Sequence, residues 1–169
     1  IAGNNYLIEL VKLNKYVRDH KAIPMKSVLL TTILGTQILA DDKISFTDLP
    51  TGFKILFGRL DDFLQKYETP PVIFNPALPS EYFNRHWDQK SFEESKKQIH
   101  SVRSLIDEAF YLADTEKSLD KWREVFGDEF PLCDEDIGKA VAPSVAFSLG
   151  SAAHCQPVIA IPWCLGESL

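Results

Sequence analysis

The sequence predicts an all-α fold, and three observations carry that reading. Apolar residues recur at steps of three and four in five separate windows, each bounded by a capping residue, a proline or a glycine. No strand-helix-strand alternation and no fixed-period repeat runs through the chain. At 169 residues it is long enough for about one domain that buries roughly two thirds of its unfolded surface.

The windows follow in order. From Asn5 to about Lys21, Leu7, Leu10, Val11, Asn14 and Val17 fall on one helical face, with Lys12, Lys15 and Asp19 on another. Pro24 separates this helix from a second, Met25 to Ala40, whose Val28, Leu29, Leu30, Ile33, Leu34, Ile38 and Leu39 imply burial on most sides. Its few polar positions near the start, Lys26 and Ser27, are therefore conspicuous. Thr47 or Asp48 caps a third helix with Pro50 in its first turn, and Phe53, Leu56, Phe57, Leu60, Phe63 and Leu64 form its inner stripe up to Tyr67. Gly52 and Gly58 weaken it locally, so packing must hold it. A long helix runs from Asp88 to about Ala113 with Phe92, Ser95, Ile99, Val102, Ile106 and Phe110 inward. Asp114 or Thr115 then caps a short helix, Glu116 to Phe126, which Gly127 ends and in which Trp122 and Phe126 share a face.

Between the third and fourth helices lies a strap, residues 70–87. Its four prolines forbid regular helix, because proline lacks the donor N–H and pushes the preceding residue towards extended conformations. Val72, Ile73, Phe74, Leu78, Tyr82, Phe83 and Trp87 bring enough apolar surface to fasten it to a core. At its end, Trp87 reads as a packing anchor and Arg85 as a member of an ion pair.

Composition excludes several functions. Hydrophobic residues at 45% and charged ones at 25% are ordinary for a soluble globular protein. The formal charge of -6 argues against a general nucleic-acid-binding surface. Yet residues 1–80 carry net +1 and residues 81–169 net -7, and the basic excess gathers in the first two helices. There Lys12, Lys15, Arg18, Lys21 and Lys26 face only Glu9 and Asp19, a field that suits a small polyanion such as a triphosphate or simply a solvated face. The chain divides into a helical region, 1–139, and an extended tail or further segment, 140–169. Residues 140–166 hold no Asp, Glu, Lys or Arg, but Pro143, His154, Gln156, Pro157 and Pro162 interrupt them short of a membrane span. Cys133, Cys155 and Cys164 are too few for a disulfide scaffold and fit a reducing cytosol, and with His154 they lack the paired spacing of a zinc site. A first residue other than Met suggests processing, or a chain that begins inside a longer protein.

Six pieces of the sequence together resemble one family. They are Leu13-Asn14-Lys15-Tyr16, Met25-Lys26-Ser27-Val28-Leu29-Leu30, Phe46-Thr47-Asp48-Leu49-Pro50, Pro70 to Asn75-Pro76, Phe83-Asn84-Arg85-His86-Trp87-Asp88, and Lys121-Trp122-Arg123-Glu124-Val125-Phe126-Gly127. In this order they resemble the C-terminal helical half of the SMODS class of cyclic-oligonucleotide synthetases, the bacterial cGAS/DncV-like nucleotidyltransferases. The likeness covers about Tyr6 to Phe130. It implies an enzyme that joins ATP- or GTP-type nucleotides into a cyclic second messenger in anti-phage signalling. It also implies two Mg²⁺ ions, held by carboxylates of an N-terminal catalytic lobe that precedes the matched region.

Those carboxylates have no evident substitute in the sequence. Asp134-Glu135-Asp136 has the spacing that puts two carboxylates on one face of a strand, but it lacks a preceding Gly-Ser turn and reads as an acidic turn. Asp41-Asp42 and Asp61-Asp62 are adjacent pairs whose members point apart. No catalytic or metal-binding residue is therefore assigned, and the chain alone is expected to be inactive. What the resemblance leaves is a share of the nucleotide site: Lys15 matches a lysine that reaches the triphosphate, and Ser27 a serine whose hydroxyl contacts phosphate. An ammonium, and a hydroxyl beside exposed helix N–H groups, suit that task; a solvated lysine and a helix N-cap are the plain readings. Val28 and Thr31 stand where many relatives carry an aromatic and an acidic residue, so stacking on a base by that route is not expected. His20 and His100 receive no role. A noncatalytic helical protein-interaction module is the alternative function.

Overall fold

A computed structural model describes residues 7–42, 46, 48–128 and 130. Helices form there in each of the five expected windows: α1 (Leu7–His20), α2 (Ser27–Thr36), α3 (Leu49–Gln65), α4 (Gln89–Tyr111) and α5 (Thr115–Phe126). Aspartate starts three of them. Asp48 Oδ1 accepts from Thr51 N at 2.8 Å, Asp88 Oδ1 from Ser91 N at 2.7 Å, and Asp114 Oδ1 from Glu116 N and Lys117 N at 3.1 and 3.2 Å. Each carboxylate satisfies N–H groups that have no acceptor within the helix and sits at the positive end of its dipole.

Burial follows the stripes. α1 buries Leu10, Leu13, Asn14 and Val17, and α3 buries Phe53, Leu56, Phe57, Leu60 and Leu64. Gly52 lets the two helices close up, since a Cβ there would meet Leu10 Cδ1 at 3.1 Å. α4 packs against both α3 and α5. An aromatic train closes the core: Phe53 lies 6.5 Å from Trp122 and 5.4 Å from Phe126, Trp122 stacks on Phe126 at 5.8 Å, and Phe126 on Phe130 at 5.3 Å. Ring pairs at such separations contribute about 0.5–1.5 kcal/mol each beyond burial.

Two expectations need correction. The second helix stops at Thr36 instead of Ala40. Tertiary bonds end it: Arg59 donates to Gln37 O at 2.9 Å and makes two 2.8 Å bonds to the Asp42 carboxylate, which also accepts from Leu39 N. Nor is it buried on most sides, because Val28 and Leu39 are exposed and the buried set is Leu29, Leu30, Ile33 and Leu34.

The strap is extended as expected, but it forms an antiparallel hairpin of β1 (Phe74–Asn75) and β2 (Leu78–Tyr82), with an irregular register. Only part of its apolar surface fastens it. Pro71, Ile73 and Trp87 are buried, Trp87 edge-on to Phe92 at 5.1 Å, and Phe83 packs partly against the core. Val72, Phe74, Leu78 and Tyr82 face outwards. The reason is the alternation of extended backbone, which can turn only every second side chain inwards. Trp87 is thus the anchor expected, whereas Arg85 has no ion pair among the described residues and stands over the Tyr82 ring at 5.5 Å. The tail, all three cysteines, His154 and Asp134-Glu135-Asp136 lie outside the described residues.

Gly127 ends α5 at φ 95°, and its N–H donates to Arg123 O at 2.7 Å. A Cβ at this position would come within 2.9 Å of the His20 ring, which stacks on Tyr16. Gly127→Ala should therefore cost about 1–3 kcal/mol from the glycine-only backbone region alone, read as a lower urea midpoint. Removing the ring in His20→Ala/Gly127→Ala should recover the contact part of any larger loss and no more.

Candidate functional site

The two residues singled out for phosphate lie on either side of one turn. Lys15 projects from α1 next to the buried Asn14, at the border of the packed face, and is half-buried. Among the described residues its ammonium has no ion pair or hydrogen bond; Lys12 and Lys26 are likewise unpaired. Arg18 and Lys21 are engaged, with Asp19 at 2.6 Å and with Glu124 O. So the basic excess of this region resolves into three free lysines.

The turn itself is tightly specified. Ala22 N donates to Asp19 O at 3.1 Å and Ile23 N to Arg18 O at 2.8 Å, the paired bonds of a Schellman ending, with Ala22 at φ 51°. Ala22 is the single non-glycine with positive φ among the described residues. Buried Ile23 and Met25 flank exposed Pro24 and pin the turn to the core. On the α1 side, Tyr16 Oη donates to Phe126 O at 2.9 Å.

Past the turn, Ser27 is the first residue of α2 and is exposed. The N-cap reading of Ser27 is corrected: Lys26 occupies that position, with extended backbone and no capping side-chain bond. The first N–H groups of α2 therefore have no acceptor within the helix and, among the described residues, no side chain supplying one. Ser27 O accepts from Thr31 Oγ1 at 2.9 Å, which turns the Thr31 hydroxyl back onto its own helix. α1 and α2 pack together, but no hydrogen bond joins Lys15 to Ser27. An ammonium, a hydroxyl and free helix N–H groups make this turn able to receive an anion.

The carboxylates have other work. Asp41 and Asp62 are exposed while Asp42 and Asp61 are buried, so the adjacent pairs do point apart. Asp42 is held by Arg59. Asp61 Oδ1 accepts from Gln65 Nε2 at 2.9 Å, and its Oδ2 lies 3.0 Å from both His100 Nδ1 and an Arg103 nitrogen, clamping α3 to α4. Sequence spacing gave His100 no role because its partner lies 39 residues away. Among the described residues no group of three or more His, Cys, Asp and Glu is placed to hold a metal ion. These side chains do not fit the metal pair that the resemblance implies. No described helix is long and apolar enough to cross a membrane.

An open cleft of about 520 Å³ lies elsewhere, lined by Glu108, Tyr111, Leu112, Lys117, Asp120 and Lys121. Its lysines are neutralised: Lys117 pairs with Asp114 at 3.4 Å, and Lys121 with Glu108 and Glu124 at 3.2 and 3.0 Å. The α1–α2 turn, not this cleft, offers unpaired positive charge.

This fold, five helices around an aromatic core with an extended strap, is similar to part of a cGAS/DncV-like cyclic-oligonucleotide synthase. The likeness is to CdnC of E. coli MS115-1 in two solved structures. The one with ATP matches at a TM-score of 0.64 and 20% identity, over 77% of this chain and 47% of that one. The complex with HORMA-deltaN matches at 0.60 and 20%, over 75% and 46%. The chain thus spans about half the length of the structures it resembles. No family model and no curated protein matches the sequence.

The buried aspartates make acid stability testable. Burial pushes the Asp61 carboxyl up, but bonds from Gln65, His100 and Arg103 outweigh it and hold it below its ordinary value. Burial likewise raises Asp42, and Arg59 with the Leu39 N–H brings it down. With both values lowered by folding, the unfolded chain binds more protons at acid pH, so stability falls as pH drops below about 5. Urea midpoints between pH 7 and pH 2 should show that fall, with a shallower slope in Asp61→Asn; parallel curves would contradict the assignment.

Proposed function

We propose that this chain is the helical lobe of a nucleotidyltransferase that makes cyclic di- or oligonucleotide messengers from nucleoside triphosphates, and that its α1–α2 turn contacts the triphosphate. The observation that carries the reading is Lys15, a half-buried ammonium with no anionic partner among the described residues, beside the start of α2, whose N-cap supplies no side-chain bond. Lysines that serve only packing or solubility are exposed or paired, as Lys117 and Lys121 are. A shared fold with a synthase solved with ATP supports the same class of substrate.

Each group has a distinct task. Lys15 places a positive charge with three donors against phosphate oxygens, while the Ser27 hydroxyl and the free N–H groups of α2 direct hydrogen bonds at them. Lys26 adds charge at the mouth of the turn. The Schellman turn at Ala22 sets where α2 begins, and the Tyr16–Phe126 bond fixes α1 against α5. Magnesium, which the resemblance implies, would neutralise phosphate charge in the complete enzyme, held by carboxylates of the preceding catalytic lobe. Residues 1–139 are proposed as the lobe and 140–169 as a further segment. The setting proposed is cytoplasmic anti-phage signalling.

In the complete enzyme, Lys15→Ala should raise the triphosphate concentration for half-maximal turnover by about tenfold to a hundredfold, since a charge-assisted contact is worth about 1.5–3 kcal/mol. Ser27→Ala should give a smaller rise. Unchanged steady-state kinetics in Lys15→Ala would remove the assignment. The chain alone, with Mg²⁺ and all four ribonucleoside triphosphates, should form no product.

A further inference from the structure

We propose that the outer face of the β1–β2 hairpin, together with Arg85, is a docking surface for a protein segment that presents apolar side chains beside a carboxylate. Phe74 and Tyr82 sit directly opposite each other in the ladder and so share one face. Val72 lies two residues before Phe74 in extended chain and so shares its face, whereas Leu78 pairs with Asn75 across an irregular register. Val72, Phe74 and Tyr82 are 56%, 58% and 44% exposed, while Ile73, between the first two, is buried. One side of the ribbon is therefore fixed to the core, and the other offers an apolar surface to solvent. Contiguous exposed apolar surface on a rigid support marks an interaction site.

Charge selects the partner. The chain has five arginines, and four bind a carboxylate: Arg18 with Asp19, Arg59 with Asp42, Arg103 with Asp61 and Asp62, and Arg123 with Asp120. Arg85 has none among the described residues, although the sequence holds 24 acidic residues against 18 basic ones. Instead its guanidinium lies over Tyr82, on the rim of the apolar face, with its donors free. His86 beside it is exposed as well. Tyrosine and arginine at the edge of an apolar patch are the residue types that carry most binding energy in protein interfaces. A carboxylate brought against Arg85 would gain a bidentate bond that no described residue supplies.

The geometry also weighs against other occupants. Half-exposure of three such side chains comes to roughly 300 Å², below the about 800 Å² per partner of a standard stable interface, so a second copy would not be held by this face alone. Pro79 lies within β2 and removes a donor from its edge, which disfavours strand addition and leaves the face as the contact. A short segment laid across the face, with one acidic side chain at Arg85, suits both the area and the charge.

A random dodecapeptide library displayed on phage and selected on the protein tests this. Selected peptides should carry Asp or Glu next to two or more large apolar residues. As synthetic peptides they should lose at least tenfold in affinity to both Phe74→Ser and Arg85→Ala, and Asp→Asn in the peptide should cost as much on wild type but little on Arg85→Ala. Both positions are exposed, and unchanged urea midpoints would show that the variants fold. Failure to enrich peptides over the Phe74→Ser control, or winners indifferent to Arg85, would overturn the proposal. So would self-association, or binding to phosphatidylcholine vesicles, that Phe74→Ser abolishes. None of these outcomes depends on the triphosphate assignment at Lys15.

Discussion

The placing of the turn between α1 and α2 depends on the aromatic contact between α3 and α5. Phe53 touches both Trp122 and Phe126, and Phe126 in turn stacks on Phe130. These rings bring the last helix back onto the first part of the chain. They therefore fix the carbonyls that α1 grips: Phe126 O for Tyr16, and Glu124 O for Lys21. With α1 held at its C-terminal end, the turn that follows has one conformation, and α2 starts at one place. A loss of ring packing would thus act on Lys15 and Ser27 without touching either.

Polar side chains do the remaining positioning, in places where apolar packing cannot choose a register. Arg59 and Asp42 end α2 and fasten the connection that follows it, while Asp61, His100 and Arg103 set α4 against α3. Burying those carboxylates is tolerable because each has several donors; unpaired, a buried charge would cost about 3–5 kcal/mol. Their engagement also explains why abundant acid yields no metal centre among the described residues. The lysines on α1 and at the start of α2 show the opposite pattern, charge without partners. Satisfied carboxylates inside and unsatisfied ammonium groups at one turn together point the molecule towards an anionic ligand.

Much of this was legible in the sequence because it is local. The stripe of α4, the aspartate caps and the Trp122/Phe126 pair follow from spacing and chemistry within one helix. The strap was legible as extended chain, yet its hairpin was not, since pairing of Phe74 with Tyr82 is a choice between strands that proline content does not make. The exposed outer face was missed for the same reason: seven apolar residues were assigned to the core when alternation allows about half. At the site, Lys15 and Ser27 came from resemblance, while the identity of the N-cap and the freedom of Lys12 and Lys26 needed coordinates. His100 and Asp61 were illegible, being partners across two helices.

The central claim is that phosphate oxygens lie against Lys15. An ATP derivative with an acyl group on its terminal phosphate transfers that group to a lysine beside the phosphates, and peptide mass spectrometry locates it. With the complete enzyme, acylation at Lys15 that excess ATP suppresses is the expected result, with Lys54 and Lys96 labelled weakly and without protection. Labelling that spares Lys15, or that ATP does not reduce there, would contradict it.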